Sequence, residues 1–97
     1  MENILKLKEK GSALGLRELA RQLGITIKNS IDKNENIILD FDKVNSISSS
    51  FADELIAKIM LEVGQKKFIE LVKIRNTNDF VKTMINISIM QRMKNTE

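Results

Sequence analysis

The sequence contains no cysteine, no histidine and no proline, and four phenylalanines are its only aromatic residues. Without cysteine, the chain can form neither a disulfide nor a thiolate metal site. Without histidine, it lacks the commonest general base and the commonest metal ligand of proteins. These absences argue against most hydrolases and metalloenzymes. We therefore expect a protein that is not an enzyme and that holds no cofactor or metal.

The residues that are present have an ordinary globular composition. Hydrophobic residues make up 42% of the 97 positions and charged residues 30%, which is typical of one folded domain over residues 1–97. The net charge is +3 and the lysines are scattered, so charge is weak evidence for a nucleic-acid or membrane partner. No apolar run is long enough for a signal peptide or a membrane span. We expect a cytoplasmic protein.

Hydrophobic periodicity predicts a strand near the N-terminus and then a long helix. Ile4 and Leu7 have lysine neighbours in a strand-like pattern that Gly11 ends. We expect Ser12 to be the N-cap of the next helix. Its apolar residues recur at spacings of three and four: Leu16, Leu19, Ala20, Leu23, Ile27 and Ile31. Gly24 interrupts that run without changing its phase, so we predict one helix.

The second half of the chain repeats this alternation. Residues 37–41 form a short apolar run rich in β-branched side chains, which predicts a central strand covered on both faces. The helix after it has an apolar residue at every fourth position and ends at Gly64. We predict a third strand over residues 68–74. A last helix comes next, capped by Asn76, Thr77 or Asn78, with these residues inward: Phe80, Val81, Met84 and Ile85.

The predicted order is β-α-β-α-β-α, which indicates an α/β fold with a small, mainly parallel sheet of three or four strands packed with helices. The last helix carries more apolar residues than one face requires, namely Ile87, Ile89 and Met90. An apolar helix face or a sheet edge of this kind favours a homodimer.

The segment from Leu16 to Thr26, LRELARQLGIT, looks like the opening of a helix-turn-helix motif. In such a motif a recognition helix comes next and contacts base edges. Here the segment is succeeded by KNSIDKNEN and then a β-like run. Arg17, Arg21 and Lys28 could contact phosphates, but solvated charges on a helix are commoner. Nucleic-acid binding through this segment is the alternative function, and a structural helix is the interpretation that we favour.

Two acidic residues, Asp40 and Asp42, lie at the carboxyl end of the predicted central strand, where open α/β sheets place their ligands. Their carboxylates could bind Mg²⁺, and a hydrophobic strand that leads into Asp also resembles a phosphoacceptor site. Such a site would need a lysine on a neighbouring strand end, whereas the third predicted strand leads into Arg75 and Asn76. We favour a turn or capping role for Asp40 and keep the ligand site as the alternative.

Serines are concentrated between the central strand and the next helix, from Ser46 to Ser50. A serine before a helix usually caps it, and Ser50 with Asp53 has the spacing of a capping box. One cap needs one serine, so the surplus hydroxyls lie beside a helix N-terminus that is receptive to phosphate. Neither histidine nor a nearby lysine could activate a serine nucleophile. A structural cap and a serine modified by another protein's kinase both remain open.

The segment ILDFDKVNSISSSFADELIAKI resembles the STAS-like domain family, small bacterial proteins related to anti-sigma-factor antagonists. The family pattern is an LDF-type strand, a turn with spaced V, I and S or A, and a helix that opens with FADE. The matching positions are these: Ile38, Leu39, Asp40, Phe41, Val44, Ile47, Ser50, Phe51, Ala52, Asp53 and Glu54. LGLRELARQL and IRNTNDFVKTMIN extend the resemblance over nearly the whole chain.

The resemblance implies a STAS-type α/β fold without catalytic activity. Anti-sigma-factor antagonists carry Asp-Ser-Ser-Gly at this turn, and a partner kinase phosphorylates a serine there. Aligned on the strand, Ser48, Ser49 and Ser50 occupy the Asp-Ser-Ser positions and Phe51 replaces the glycine. Ser50, with Ser49 beside it, then takes the phosphoacceptor position.

This resemblance also suggests where a partner would bind. The contact surface would comprise the turn and the first helical turn, over these residues: Ser48, Ser49, Ser50, Phe51, Asp53 and Glu54. The expected function is therefore that of a cytosolic interaction or regulatory module, with serine phosphorylation as the switch. Its partner would be a protein, such as a kinase or an anti-sigma-type regulator.

Overall fold

Three parallel strands form the main sheet in the computed structural model, which describes residues 3–95. Their spatial order is β1-β3-β5, and two further short strands, β2 and β4, pair in parallel beside this sheet. The strands are β1 (Asn3–Lys6), β2 (Ala13–Leu14), β3 (Ile37–Asp40), β4 (Ser46–Ile47) and β5 (Val72–Arg75). The parallel α/β class predicted from the sequence is confirmed.

Helices connect these strands. They are α1 (Arg17–Asp32), α2 (Ser49–Ala52), α3 (Lys58–Val63), α4 (Gln65–Leu71) and α5 (Asp79–Asn95). A π-helical turn, Asp53–Ala57, joins α2 to α3, so residues 49–63 run as one helix, here called the central helix. A 3₁₀ turn, Leu7–Lys10, comes after β1. Within residues 3–95, no helix is both long and apolar enough to span a bilayer.

The two faces of the sheet differ in burial. In the register of the strands, Ile37 and Leu39 of β3 point to the same side as Val72 of β5, and all three are buried. Ile38 points to the opposite side and is half-buried, beside the exposed Ile4 of β1. The prediction of a central strand covered on both faces is therefore wrong for one of them, because β3 alternates between a buried and a partly solvated side.

The central helix packs between α1 and α5, and this arrangement positions the candidate site. Gly24 lies in the middle of α1, and a Cβ atom added there would come within 3.1 Å of Cδ1 of Ile59. Glycine in a helix costs about 1 kcal/mol relative to alanine. Here it allows α1 to lie close to the central helix. The periodicity argument that α1 continues through Gly24 is confirmed.

Several predicted helix ends are correct. The central helix ends at Gly64, whose φ of +96° is a conformation that L side chains rarely adopt. Asn78 caps α5, because its Oδ1 accepts a hydrogen bond of 2.7 Å from the Val81 N–H. Val81 and Ile85 are buried as predicted. These signals lie within a few residues of the ends that they define, which is why the sequence reveals them.

The third strand is shorter than predicted. Residues 65–71 form α4, and only Val72–Arg75 pair with β3. Phe68 and Leu71 are buried and lie three positions apart on one side of α4, whereas Ile69 between them is exposed. This apolar run is compatible with either period, and packing on the core selects the helical one.

Three single-residue predictions are also wrong. Ser12 does not cap α1, because β2 intervenes and the helix begins at Arg17 after Leu16. Leu16 is 72% exposed, and Phe80, predicted to point inward, is 53% exposed. Both residues stand at helix starts, where the first turn extends beyond the core and periodicity does not show which side is covered.

Candidate functional site

We call residues 46–50 the serine turn. It comprises β4, Ser48 and the first two residues of the central helix. Its capping residue is Ser48, whose Oγ accepts a hydrogen bond of 3.0 Å from the Phe51 N–H. The same hydroxyl donates to the carbonyl oxygen of Gly15 at 2.9 Å, which ties the turn to the segment before α1. The capping box that the sequence predicts at Ser50 is therefore wrong by two positions, because the helix begins earlier.

Capping by Ser48 leaves two serines for other roles. Neither the Ser49 nor the Ser50 hydroxyl forms a hydrogen bond with another residue of the described chain, although the Ser49 carbonyl accepts one from the Ser88 hydroxyl at 3.2 Å. Ser49 is exposed and Ser50 is half-buried. Phe51 is completely buried, so it belongs to the core and its ring leaves the approach to the serines open.

An ion-pair cluster lies directly after the serines. Asp53, in the π-helical turn, accepts two hydrogen bonds from Arg92 of α5, at 2.7 Å from Nε and 2.8 Å from Nη2. Arg17 of α1 donates through Nη1 to Asp53 at 3.1 Å and to Glu54 at 3.0 Å. The four side chains connect three helices. We call Arg17, Asp53, Glu54 and Arg92 the three-helix cluster.

The arginines determine the protonation of both acids. The bidentate hydrogen bonds from Arg92, helped by Arg17, lower the pKa of Asp53 below its ordinary value. Burial alone would raise the pKa of Glu54, which is only 6% exposed. The hydrogen bond from Arg17 and the charges of Lys58 and Arg21 outweigh burial, so the pKa of Glu54 is also lowered. Both acids therefore carry a full negative charge at neutral pH.

A cleft of about 250 Å³ joins the two features. Its lining residues are Arg17, Ser49, Ser50, Asp53, Gln91 and Arg92, and we call it the serine cleft. The two arginines converge there on Asp53. Arginine is well suited to bind the planar or tetrahedral oxyanions of carboxylates and phosphates. A charge added in this cleft would therefore affect the ion pairs of both arginines at once.

The π-helical turn of the central helix begins at Asp53, which lines the serine cleft. Asp53–Ala57 is π-helical, and π-helical turns occur mostly as single-turn insertions within α-helices, frequently at functional sites. Here the π-helical turn carries both acids, while the adjoining Leu55 and Ile56 remain buried. The π-turn thus combines core packing with the ion pairs to α1 and α5.

The other acidic pair has a different environment. Asp40 Oδ1 accepts hydrogen bonds from the Asp42 N–H at 3.0 Å and from Asn76 Nδ2 at 2.9 Å. These bonds lower the pKa of Asp40, with the Asn76 amide as the larger cause. Asp40 therefore forms a turn, as we favoured. Within residues 3–95, no group of three or more acidic side chains is placed to hold a metal ion.

The cations of the proposed helix-turn-helix segment are engaged in ion pairs. Arg17 binds Asp53 and Glu54, and Arg21 pairs with Glu18 and more distantly with Glu54. Lys28 pairs with Glu62 of α3. After α1 the chain enters a turn and then β3. In the described part of the chain, the recognition helix that a helix-turn-helix motif needs after α1 is therefore absent, and these residues give no support for DNA binding.

The sequence interpretation found one half of this site. It singled out the serines, Asp53 and Glu54, which the structure brings together with Phe51 beneath them. It missed Arg92 entirely and assigned Arg17 to a different role. Arg17 and Arg92 lie 36 and 39 positions from Asp53, and no local spacing rule connects residues so far apart. Placing α1 and α5 on opposite sides of the central helix is the information that was needed.

Comparison with known proteins agrees with this architecture. A search of curated proteins and a search of solved structures gave no significant match. A family model described as STAS-like domain of unknown function (DUF4325) matches residues 20–82, which is more than half of the chain. The match includes the serine turn, Asp53 and Glu54, and leaves Arg17 and Arg92 outside. The chain belongs to this family of STAS-like domains, as its sequence indicates.

Proposed function

We propose that this protein is a non-enzymatic regulatory module that binds a protein partner through the serine turn and the serine cleft. In this proposal Ser50 is the switch, and a kinase supplied by another protein phosphorylates it. The observation that carries the proposal is the position of Ser50. Its half-buried hydroxyl lies in a cleft lined by Arg17 and Arg92 and has no hydrogen-bond partner in the described chain.

The serine turn offers modifiable groups without loss of fold. Ser48 already satisfies the helix N-terminus, so a phosphate on Ser50 would not remove a cap. Phe51 is buried and does not block access to the hydroxyl. The resemblance to anti-sigma-factor antagonists, which carry a phosphoacceptor serine at the aligned position, supports the choice of Ser50. We therefore favour Ser50, with Ser49 as the neighbouring candidate.

A phosphate at Ser50 would change the charge balance of the cleft. It adds a charge of about −1.5 to −2 at neutral pH and strong acceptor oxygens. It would repel Asp53 and compete with Asp53 for Arg17 and Arg92, since arginine binds phosphate in a bidentate manner. The three-helix cluster would then rearrange. A partner that recognises the unmodified surface would lose its contacts there.

The partner surface that we carry forward is smaller than the sequence suggested. Phe51 is buried and Glu54 is nearly so, so neither can contribute much contact area. The accessible part comprises the serine turn together with Asp53, Arg17 and Arg92 on either side. This surface contains both signs of charge, which favours a partner recognised by charge complementarity.

A capture experiment with matched variants tests this function. The chain, immobilised, is exposed to the cytosol of its source organism, and the bound proteins are quantified by mass spectrometry. We expect Ser50→Ala to retain the partner of the unmodified chain and Ser50→Asp to lose most of it. Thr26→Asp adds the same charge at an exposed position of α1 and should bind like the unmodified chain. Equal capture by Ser50→Ala and Ser50→Asp would contradict the proposal.

A further inference from the structure

Helix α5 is apolar on two opposite sides. Val81 and Ile85 of the inner side are buried in the core. On the outer side, Phe80 is 53% exposed, Ile87 39% and Met90 68%. An apolar side of a helix normally packs against another surface. The outer side therefore calls for a second surface, which residues 3–95 of one chain do not provide.

The exposed residues have a regular spacing. Phe80, Thr83, Ile87, Met90 and Lys94 recur at alternating intervals of three and four residues. This is the spacing of the seam positions in a two-stranded coiled coil, where such residues meet those of a second helix, and three of the five residues are apolar. We call these five residues the outer stripe of α5. A stripe of this kind favours another helix as its partner over a flat or extended surface.

We infer that the outer stripe of α5 binds the same stripe of a second copy of this chain, with the two helices antiparallel about a two-fold axis. Such a pairing is self-complementary, as closed dimers require. With the two-fold axis crossing the outer side of α5 at the level of residue 85, Phe80 lies opposite Met90 of the second copy. Ile87 then lies opposite Thr83 of the second copy. The two most exposed apolar side chains of α5, Phe80 and Met90, are then covered.

The charges at the two ends of α5 favour the antiparallel direction. Asp79 stands in its first turn and Lys94 in its last. In residues 3–95 neither forms an ion pair with another side chain. Helical side chains incline toward the N-terminus, so Lys94 would reach Asp79 of the second copy. A parallel pair would instead place Lys94 against Lys94 of the second copy and align the two helix dipoles unfavourably.

The dimer would not compete with the candidate site. Arg92 projects from α5 toward Asp53 of the central helix, on the side opposite the outer stripe. The serine cleft would remain open in each copy. A single helix pair buries less than the roughly 1,200 Å² of a standard interface, so we expect a dissociation constant of about 1–100 µM.

Sedimentation velocity of the full chain tests this inference. Between about 1 µM and about 300 µM, the mass should rise from that of a monomer of 11.1 kDa toward twice that value. Met90→Glu should weaken association at least about tenfold, because it brings acidic groups into the apolar seam. Ile69→Glu, at an exposed apolar position of α4 away from the outer stripe, should associate like the unchanged chain. A monomer throughout, or equal effects of both variants, would overturn the inference.

Charge reversal tests the direction of the pair. Asp79→Lys and Lys94→Glu should each weaken association, and the double variant should recover it because the cross-copy pair is restored with reversed sign. Circular dichroism melting of each variant establishes that α5 remains folded. A double variant that associates less than either single variant would contradict the antiparallel arrangement.

Discussion

The chain holds two pairs of acidic residues that look alike in the sequence and differ in the structure. Asp40 and Asp42 lie after the central strand, where α/β proteins bind ligands, whereas Asp53 and Glu54 occupy the first turns of a helix, where acids are commonplace. The structure reverses their importance. Asp40 orders a turn through a backbone N–H and an amide. Asp53 and Glu54 bind arginines of two other helices.

This difference shows that the contribution of an acidic residue to the structure depends more on the number and charge of its partners than on its position at the end of a strand. The hydrogen-bond partners of Asp40 are neutral and lie at the carboxyl end of the sheet. The partners of Asp53 are charged, and they come from elements that the fold brings together from far along the chain. Removing Asp53 therefore leaves the charge of Arg92 without its partner and Arg17 with Glu54 alone, whereas removing Asp40 leaves no ion pair broken.

The largest expected effect is on stability. Asp53→Ala leaves Arg92 without its carboxylate and Arg17 with Glu54 alone, and we expect the free energy of unfolding to fall by about 1.5–3 kcal/mol, the range for hydrogen bonds to charged groups. Asp40→Ala should lower it by about 1 kcal/mol, because that turn loses only neutral donors. Urea unfolding of both variants measures the two values. Equal losses would remove the distinction between the two pairs.

A second prediction concerns acid stability. The folded-state pKa of Asp53 and of Glu54 is lowered, so each acid stabilises the fold above its ordinary pKa of about 4. That contribution is lost as the pH falls through the lowered value. The stability difference between the unchanged chain and Asp53→Asn should therefore be constant near pH 7 and shrink below about pH 4. Urea titrations at several pH values check this, and a difference that grows in acid would contradict it.

A smaller effect separates geometry from charge. Arg92→Lys keeps the positive charge near Asp53 but cannot form the bidentate pair through Nε and Nη2. We expect a loss of about 1 kcal/mol in the free energy of unfolding. Lys82→Arg, at an exposed position of the same helix, is the matched control and should leave stability unchanged. A loss as large as that of Asp53→Ala would mean that arginine geometry dominates the cluster.

The smallest expected effects distinguish the serines. Ser48→Ala removes the N-cap and the bond to the Gly15 carbonyl, so stability should fall by about 1 kcal/mol. Ser50→Ala removes no hydrogen bond within the described chain and should change stability by less than about 0.5 kcal/mol. Thermal unfolding compares them. The opposite order would reinstate Ser50 as the structural cap and contradict its assignment as the serine that is available for modification.

Sequence reasoning predicted the parts of this molecule whose signals are local. The alternation of strands and helices, Gly64 at a helix end and Asn78 as a cap all depend on residues close to one another along the chain. Helix α4 was missed and its second half was assigned to the third strand, because the apolar run through Phe68, Leu71 and Val72 fits both periods. Packing against the core selects the helix over residues 65–71. Periodicity in the sequence alone does not distinguish it from a strand.

The candidate site likewise has a part that local sequence signals predicted and a part that they did not. Residues 48–54 were identified because strand, turn and helix succeed one another there. Arg17 and Arg92 were not connected to them, since an ion pair across three helices leaves no periodic pattern. Even the family match, over residues 20–82, stops short of both arginines. Proximity in the fold, and not proximity in the chain, defines the cleft.

The most direct test of the account is to map phosphorylation on this chain. The unchanged protein, Ser50→Ala and Ser49→Ala are incubated with ATP in cytosol of the source organism, and the modified residues are identified by mass spectrometry. We predict one phosphate on Ser50 in the unchanged chain and in Ser49→Ala, and none at the serine turn in Ser50→Ala. An unmodified serine turn, or a phosphate that persists at the turn in Ser50→Ala, would contradict the assignment of Ser50 as the switch.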